Sequence, residues 1–188
     1  MECNKMDSHG FTLVELMVTL AVAAILAMIA APSFIELIRS NRLTTQANEL
    51  VGSLQYARTE AAKQGVQVTI SSQSNVNSQW EQGWLVFTDW NGDGDLDAGG
   101  DGVLCEQGED CLIRTQSELG FSHTLRARDG NYTQWFAYLP DGTSISSGGA
   151  GSDSFQLCSP DGDSTKSRSI AVNNTGRPHT SKGTASCP

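Results

Sequence analysis

The chain is 188 residues long, sets 21 acidic against 12 basic side chains, and carries a formal net charge of −9. Such acidity argues against bulk nucleic-acid affinity and favours solubility of the part that meets water. The length allows one domain of ordinary size plus a targeting or anchoring segment, and no internal repeat is present.

Residues 1–10 form a polar stub with Glu2 and Asp7 against Lys5. At Gly10-Phe11-Thr12-Leu13-Val14-Glu15-Leu16 the chain turns apolar, and no charge appears from Leu16 to Ile35. Twenty helical residues at about 1.5 Å each span a hydrocarbon core of about 30 Å. Glu15 stands inside this apolar segment, where an ionisable group is expensive and marks a functional site with a partner charge. A secretory signal peptide would need a basic n-region and a small-residue cleavage site after its core. Here the core runs into Ala30-Ala31-Pro32, and the one A-x-A, Ala21-Val22-Ala23, lies mid-run. A plain membrane anchor explains the length but gives no reason for Glu15.

Beyond Pro32, a residue able to kink or locally melt a helix, the pattern becomes one-sided. Ala47, Leu50, Val51, Leu54, Ala57 and Ala61 recur on one helical face, while Arg39, Arg42, Glu49, Arg58 and Lys63 fall off it. Lys63 and Gly65 are stop signals. The spacing predicts a single helix over 12–64, apolar all round in its first half and amphipathic in its second.

A glycine-rich region of β-type segments follows. Val66, Val68 and Ile70 alternate with Gln67 and Thr69, as in a half-buried strand. Trp84-Leu85-Val86-Phe87 and Trp135-Phe136-Ala137-Tyr138-Leu139 are apolar runs of strand length, the second closed by the turn Pro140-Asp141-Gly142. Phe155-Gln156-Leu157 and Ser169-Ile170-Ala171-Val172 give two further strands. Residues 146–152, rich in glycine and serine, read as a flexible loop.

The N-terminal string closely resembles the class III signal of type IV pilins and type II secretion pseudopilins. That resemblance implies cleavage after Gly10 by a prepilin peptidase and methylation of the new N-terminal Phe11. It also implies that Glu15 pairs with the N-terminal amine of a neighbouring subunit, and that Pro32 lies where pilins commonly carry a proline. Gln55-Tyr56-Ala57-Arg58-Thr59-Glu60-Ala61, the run Trp84-Leu85-Val86-Phe87-Thr88-Asp89 and the late Thr175-Gly176-Arg177 resemble the FimT/FimU/GspH group of minor pilins and pseudopilins. The match is loose between residues 99 and 130. The implied fold is α+β and pilin-like: one long N-terminal helix, its first half transmembrane and filament core, packed on a C-terminal antiparallel sheet. Residues 1–10 are then a cleaved leader, 11–38 the assembly helix and 39–188 the globular domain.

Cys3 falls in that leader, leaving Cys105, Cys111, Cys158 and Cys187, and four cysteines allow three pairings. An exported domain matures where disulfides persist. We favour Cys105–Cys111, which closes a short loop, and Cys158–Cys187, which ties down the tail. Zinc is the weaker reading, because no C-x-x-C is present and only His123 and His179 remain after the leader.

Two local patterns suggest ligands. In the loop from Asp89 to Asp97, Asp89, Asn91, Asp93 and Asp97 supply oxygens at EF-hand positions one, three, five and nine, Gly94 takes position six, and Asp95 would offer its carbonyl. The back of the motif departs: Gly100 stands where a bidentate glutamate belongs and Asp101 comes one residue late. The plain alternative to calcium is an acidic turn. At the C-terminus, residues 164–188 hold no acid but carry Lys166, Arg168, Arg177 and Lys182, with His179 among them. Some FimT-type proteins bind DNA through a Gly-Arg-x-Arg tail. Here Gly176-Arg177-Pro178-His179 lacks the second arginine, so only phosphate contacts without base reading are implied.

No G-x-S-x-G, H-E-x-x-H or phosphate loop is present, so nothing points to catalysis. The reading is a minor pilin of a type IV pilus that primes or caps the filament. The alternatives are an H-type minor pseudopilin of type II secretion or a DNA-binding minor pilin for transformation. The expected partners are major and minor pilins, the peptidase and an inner-membrane assembly platform. The expected location is the bacterial inner membrane, crossed once, with the globular domain in the periplasm until assembly.

Overall fold

The computed structural model of the chain describes residues 11–97, 105–106, 108–149 and 151–187, the side chain of Pro32 excepted. Gly10 and residues 98–104 behind the acidic loop lie outside the described residues. The chain divides into two compact units after Ser40.

One helix, α1 (Leu13–Gln64), is assigned without a break, so the proline at position 32 does not end it. Within the first unit its large apolar side chains are exposed, from Leu13 at 74% to Ile38 at 47%. Within the second unit the same helix buries one stripe: Leu43, Ala47, Leu50, Leu54, Ala57 and Ala61. Every member of the expected stripe is there except Val51, which packs against the core while partly exposed, and Leu43 extends it by one turn. The helix ends at Gly65, whose N–H donates to the Ala61 carbonyl at 2.9 Å.

Two antiparallel sheets complete the second unit. The first has the order β3-β2-β1-β5-β6, built from β1 (Gln67–Ser72), β2 (Trp84–Asp89), β3 (Cys111–Gln116), β5 (Trp135–Tyr138) and β6 (Ser144–Ser146). The other has the order β4-β7-β8-β9, from β4 (Thr124–Ala127), β7 (Asp153–Cys158), β8 (Arg168–Val172) and β9 (Pro178–Lys182). Val68 and Ile70 of β1, Val86 of β2, Leu125 of β4 and Phe155 and Leu157 of β7 join the helix stripe in one core. Its bulk is aromatic. Trp80 meets Phe155 edge-on at 5.0 Å, Tyr132 meets Phe136 at 4.7 Å, and the Trp80 indole donates to the Tyr132 carbonyl at 2.9 Å.

The expected strands at 66–70, 84–87, 135–139, 155–157 and 169–172 correspond to β1, β2, β5, β7 and β8. Within 146–152 the described residues form a turn beyond β6 that is tied to its neighbours. Gly148 donates to the Asn131 carbonyl at 2.8 Å, and the Ser144 hydroxyl donates to the Gly151 carbonyl at 2.7 Å. Small residues are needed there for contact: a Cβ on Gly151 would stand 1.9 Å from the Ser144 oxygen.

The disulfides join Cys105 to Cys111 and Cys158 to Cys187. By loop length alone, the 29-residue separation of the second corresponds to ~3–4 kcal/mol of stabilisation in the chain-entropy account. It fixes the C-terminal segment to β7.

Candidate assembly site

Thr12 opens α1 as its N-cap: its hydroxyl accepts from the Glu15 N–H at 3.2 Å, and its carbonyl accepts from the Leu16 N–H at 3.2 Å. Thr12-Leu13-Val14-Glu15 thus has the spacing of a capping box, and Glu15 in the first turn complements the positive end of the helix dipole. This second use of Glu15 was legible in the sequence as T-x-x-E and was missed there. Further along, the Thr19 hydroxyl donates to the Leu16 carbonyl at 2.9 Å, which satisfies a polar group that lipid could not.

Among the described residues, α1 is the one helix long and apolar enough to cross a membrane, and none of that apolar window is buried within the chain. Phe11 and Met28 are each 77% exposed. A helix apolar all round must be covered by lipid or by other helices. Glu15 is exposed on this surface, so covering the helix would desolvate a carboxylate that then requires a compensating cation.

The acidic loop is organised by buried carboxylates facing inward. Asp89, 1% exposed, accepts from the Gly92 and Gly94 N–H groups at 2.6 and 3.0 Å, from the Thr69 hydroxyl at 2.7 Å and from the Gln67 amide at 2.9 Å. Burial pushes its carboxyl up from the ordinary range, against the pull of those donors. Asp110 accepts from the Trp90 and Asp97 N–H groups at 2.9 and 3.0 Å. Asn91, Asp93, Asp95 and Asp97 are exposed, and the Asn91 amide donates to Asp93 at 2.8 Å and to Asp97 at 3.4 Å. Among the described residues no group of three His, Cys, Asp or Glu is placed to hold a metal ion. Gly94 is required by contact, since a Cβ there would fall 2.1 Å from the Trp135 indole nitrogen.

The basic residues of the tail separate into two kinds. Arg168, 6% exposed, donates to the Lys166 and Ser167 carbonyls at 2.6 and 3.1 Å and to the Thr44 hydroxyl at 2.9 Å. Lys166 lies 3.2 Å from Asp163 and 3.5 Å from Asp161, flanking a 3-10 turn over Ser164–Lys166. Arg177, His179 and Lys182 are exposed, the last two on β9. Gly176 is fixed by packing: with φ at +74°, its carbonyl accepts from the Tyr138 hydroxyl at 2.7 Å, and a Cβ would lie 2.6 Å from the Tyr138 ring. Burial raises that tyrosine's pKa well beyond its ordinary range.

Sequence reasoning also missed a cluster at the start of the second unit. Arg42 stacks 3.6 Å over the Phe121 ring, and His123, 4% exposed, bonds through Nδ1 to Gln46. Burial lowers the His123 pKa, with the Arg42 charge acting in the same direction.

A long helix, apolar all round at one end and packed on antiparallel sheet at the other, is the architecture of the pilin class. A family model described as type II transport protein GspH matches residues 46–176, and a model of the prokaryotic N-terminal methylation motif matches residues 5–31. The chain belongs to the GspH family of minor pilins and pseudopilins, structural proteins that associate with other pilins in a filament. The fold is similar to that of the type IV minor pilin FimU of Pseudomonas aeruginosa strain PAO1 in two crystal forms. One aligns with TM-score 0.58 and 19% identity over 79% of this chain and 93% of FimU. The other gives 0.53 and 20% over 78% and 97%. No curated protein matches the chain.

Proposed function

We propose that the chain is a minor subunit of a type IV pilus that primes or caps filament growth. The observation that carries this reading is the fully apolar, uncovered half of α1 with Glu15 in its first turn. In this reading a prepilin peptidase cuts after Gly10 and methylates Phe11. The protein waits in the inner membrane with its globular domain in the periplasm, and an assembly platform lifts it into a filament. There the Glu15 carboxylate meets the Phe11 amine of a neighbouring subunit. The fold shared with FimU supports the pilus, whereas the description of the family model supports a type II secretion assembly.

The experiment has two parts. N-terminal mass spectrometry of the membrane-extracted protein is expected to find N-methylated Phe11, and Gly10→Val, which places a branched side chain before the cut, is expected to leave the leader attached. Deleting the gene is expected to remove surface pili while secreted enzymes are still exported. An intact leader on the wild-type protein overturns the pilin reading. Lost secretion with intact pili overturns the pilus in favour of the secretion system.

A further inference from the structure

We propose that the outer face of the second sheet holds a binding site for a single carboxylate displayed on a peptide. Leu125 and Ala127 of β4, like Phe155 and Leu157 of β7, belong to the core. The period of two therefore sets Arg126, Arg128 and Gln156 on the opposite face, with Arg126 and Gln156 as cross-strand partners. The chain continues the pairing past β4, since the Arg128 N–H donates to the Ser154 carbonyl at 3.0 Å. The C-terminal segment returns over this face. Ala185 donates its N–H to the Ser167 hydroxyl at 3.2 Å, Ser186 donates to the Gln156 Oε1 at 2.7 Å, and Cys187 is bonded to Cys158. Between tail and arginines lies a cavity of about 460 Å³ lined by Arg126, Ala127, Arg128, Gln156, Ser186 and Cys187.

One residue that lines this cavity, Gln156, carries an unmet donor. Gln156 is 4% exposed, and its Oε1 is held by the Ser186 N–H, so the orientation of its amide is fixed. Its Nε2 is closed to water and has no hydrogen-bond partner among the described residues. A buried donor left unmade is costly, and a small shift of the Gln156 side chain on binding would bring it to an oxygen that enters the cavity with the ligand. The walls offer charge. Arg126 gives one nitrogen to Glu81 and keeps other N–H donors in its fork. Arg128, its side chain 54% exposed, meets Asp129 only at 3.8 Å, a surface pair easily exchanged.

The charge balance selects the ligand. Glu81 and Asp129 temper the two arginines, so the cavity matches one negative charge better than a dianion. A guanidinium fork and an amide N–H together suit the planar oxygens of a carboxylate. The arginine stems, Ala127 and the disulfide sulfur give the cavity an apolar body that favours a group carried on carbon. A long polyanion is opposed by the chain's net −9. Copies of a chain with net charge −9 repel one another, and a local socket of opposite sign would fix their register. We therefore assign the occupant as an acidic side chain or C-terminal carboxylate of a neighbouring subunit, an assignment that rests on the filament reading, whereas the cavity's preference for carboxylate does not.

The test uses the full chain in zwitterionic detergent, with the side-chain amide of Gln156 and the Nε–H of Arg128 followed by nitrogen-15 NMR. The probes are N-acetyl-glutamate methylamide for an acidic side chain, N-acetyl-alanine for a free C-terminus, the neutral N-acetyl-glutamine methylamide, and inorganic phosphate. Saturable shifts of both resonances with either carboxylate, in the millimolar range, are expected, and the stronger of the two identifies the source. Arg128→Gln is expected to weaken binding about tenfold, and Arg128→Lys, which keeps the charge without the fork, by less. Arg128 is exposed enough for both variants to keep the far-UV spectrum and both disulfides. Equal response to the glutamine probe, equal binding of phosphate, or a Gln156 amide that stays fixed throughout, as under a trapped water, overturns the site while leaving Gly10 processing untouched.

Discussion

The two ends of α1 present opposite surfaces. In the first unit Leu20, Leu26 and Ile29 are exposed at 62%, 61% and 70%, while in the second Leu43, Leu50 and Leu54 are at 1% or below. The side chains are alike in size and polarity and the backbone is the same helix; what differs is whether the chain itself supplies a cover. Where polar residues recur between the leucines, one stripe faces sheet and the rest faces water. Where they do not, none of the apolar window is buried among the described residues, and lipid or other copies of such a helix would supply a cover. In the filament reading proposed above, stability of the globular unit and assembly are carried by different parts of one element.

Glu15 gives the largest expected effect. Once neighbouring helices cover it, Glu15→Ala leaves an uncompensated amine in an apolar bundle, a loss of about 3–5 kcal/mol per subunit contact. The variant is expected to accumulate in the membrane and to be absent from sheared filaments. Glu15→Gln removes the charge but keeps a polar side chain at the third helical position, so it separates charge pairing from capping. If the glutamine variant assembles at the wild-type level, the role of Glu15 is in the helix start and not in pairing.

The comparison between the ends can be broken directly with leucines. Leu54→Ala, within the core stripe, is expected to cost the globular unit about 2–5 kcal/mol, read as a lower melting temperature in detergent. Leu26→Ala, exposed in the first unit, is expected to change that melting by less than about 0.5 kcal/mol while reducing filament incorporation. Equal melting shifts would show that the first unit stabilises the second, contrary to the division of labour drawn above.

Periodicity made most of this legible. The stripe from Ala47 to Ala61 and the alternation in β1 could be read because burial repeats at the period of the element. β9 could not. Its sequence, Pro-His-Thr-Ser-Lys, has no apolar face, and it is a strand because its backbone pairs with β8 from Arg168↔Lys182 to Val172↔Pro178. Proline at its start and lysine at its end are what an unprotected edge carries. β4 alternates correctly but is only four residues long. Arg168 looked like part of a cationic tail, yet its guanidinium satisfies carbonyls on its own turn and Thr44 on the helix. That long-range partner leaves no trace in local spacing. Asp89 reads in the sequence as the first oxygen of a cation-wrapping loop, and its role in holding the loop's own backbone, by accepting from Gly92 and Gly94, has no local signature.

Asp89 yields the next smaller effect. In calcium-free buffer Asp89→Asn places an amide N–H₂ against backbone N–H donors, which is expected to cost about 1–3 kcal/mol. The pH dependence has a definite sign. Burial raises the folded-state pKa above the unfolded value, so the folded form holds its proton more tightly. The contribution of this group is then fully present below the unfolded pKa and is lost as pH rises through the folded one. Wild type minus Asp89→Asn, followed by chemical melts across the acidic range, should show this fall and then a plateau towards neutrality. A difference that grows with pH through that range would mean that the four donors outweigh desolvation.

The smallest expected effect concerns nucleic acid, and it extends the contrast between committed and uncommitted charge. Of the four basic residues named in the tail, Arg168 is buried in a carbonyl cage and Lys166 is held between Asp161 and Asp163. Arg177 and Lys182 remain exposed. Two phosphate contacts would give a log–log salt slope of only about −2 on duplex DNA, set against a net charge of −9 on the chain. No retardation of duplex DNA at physiological salt is therefore expected, and Arg177→Ala is expected to change nothing. A low-salt gel shift that vanishes for Arg177→Ala equally across unrelated sequences would mark phosphate contact without base reading. A slope steeper than about −2 would further mean that cations outside this pair take part, making DNA capture a property of a larger surface than the tail.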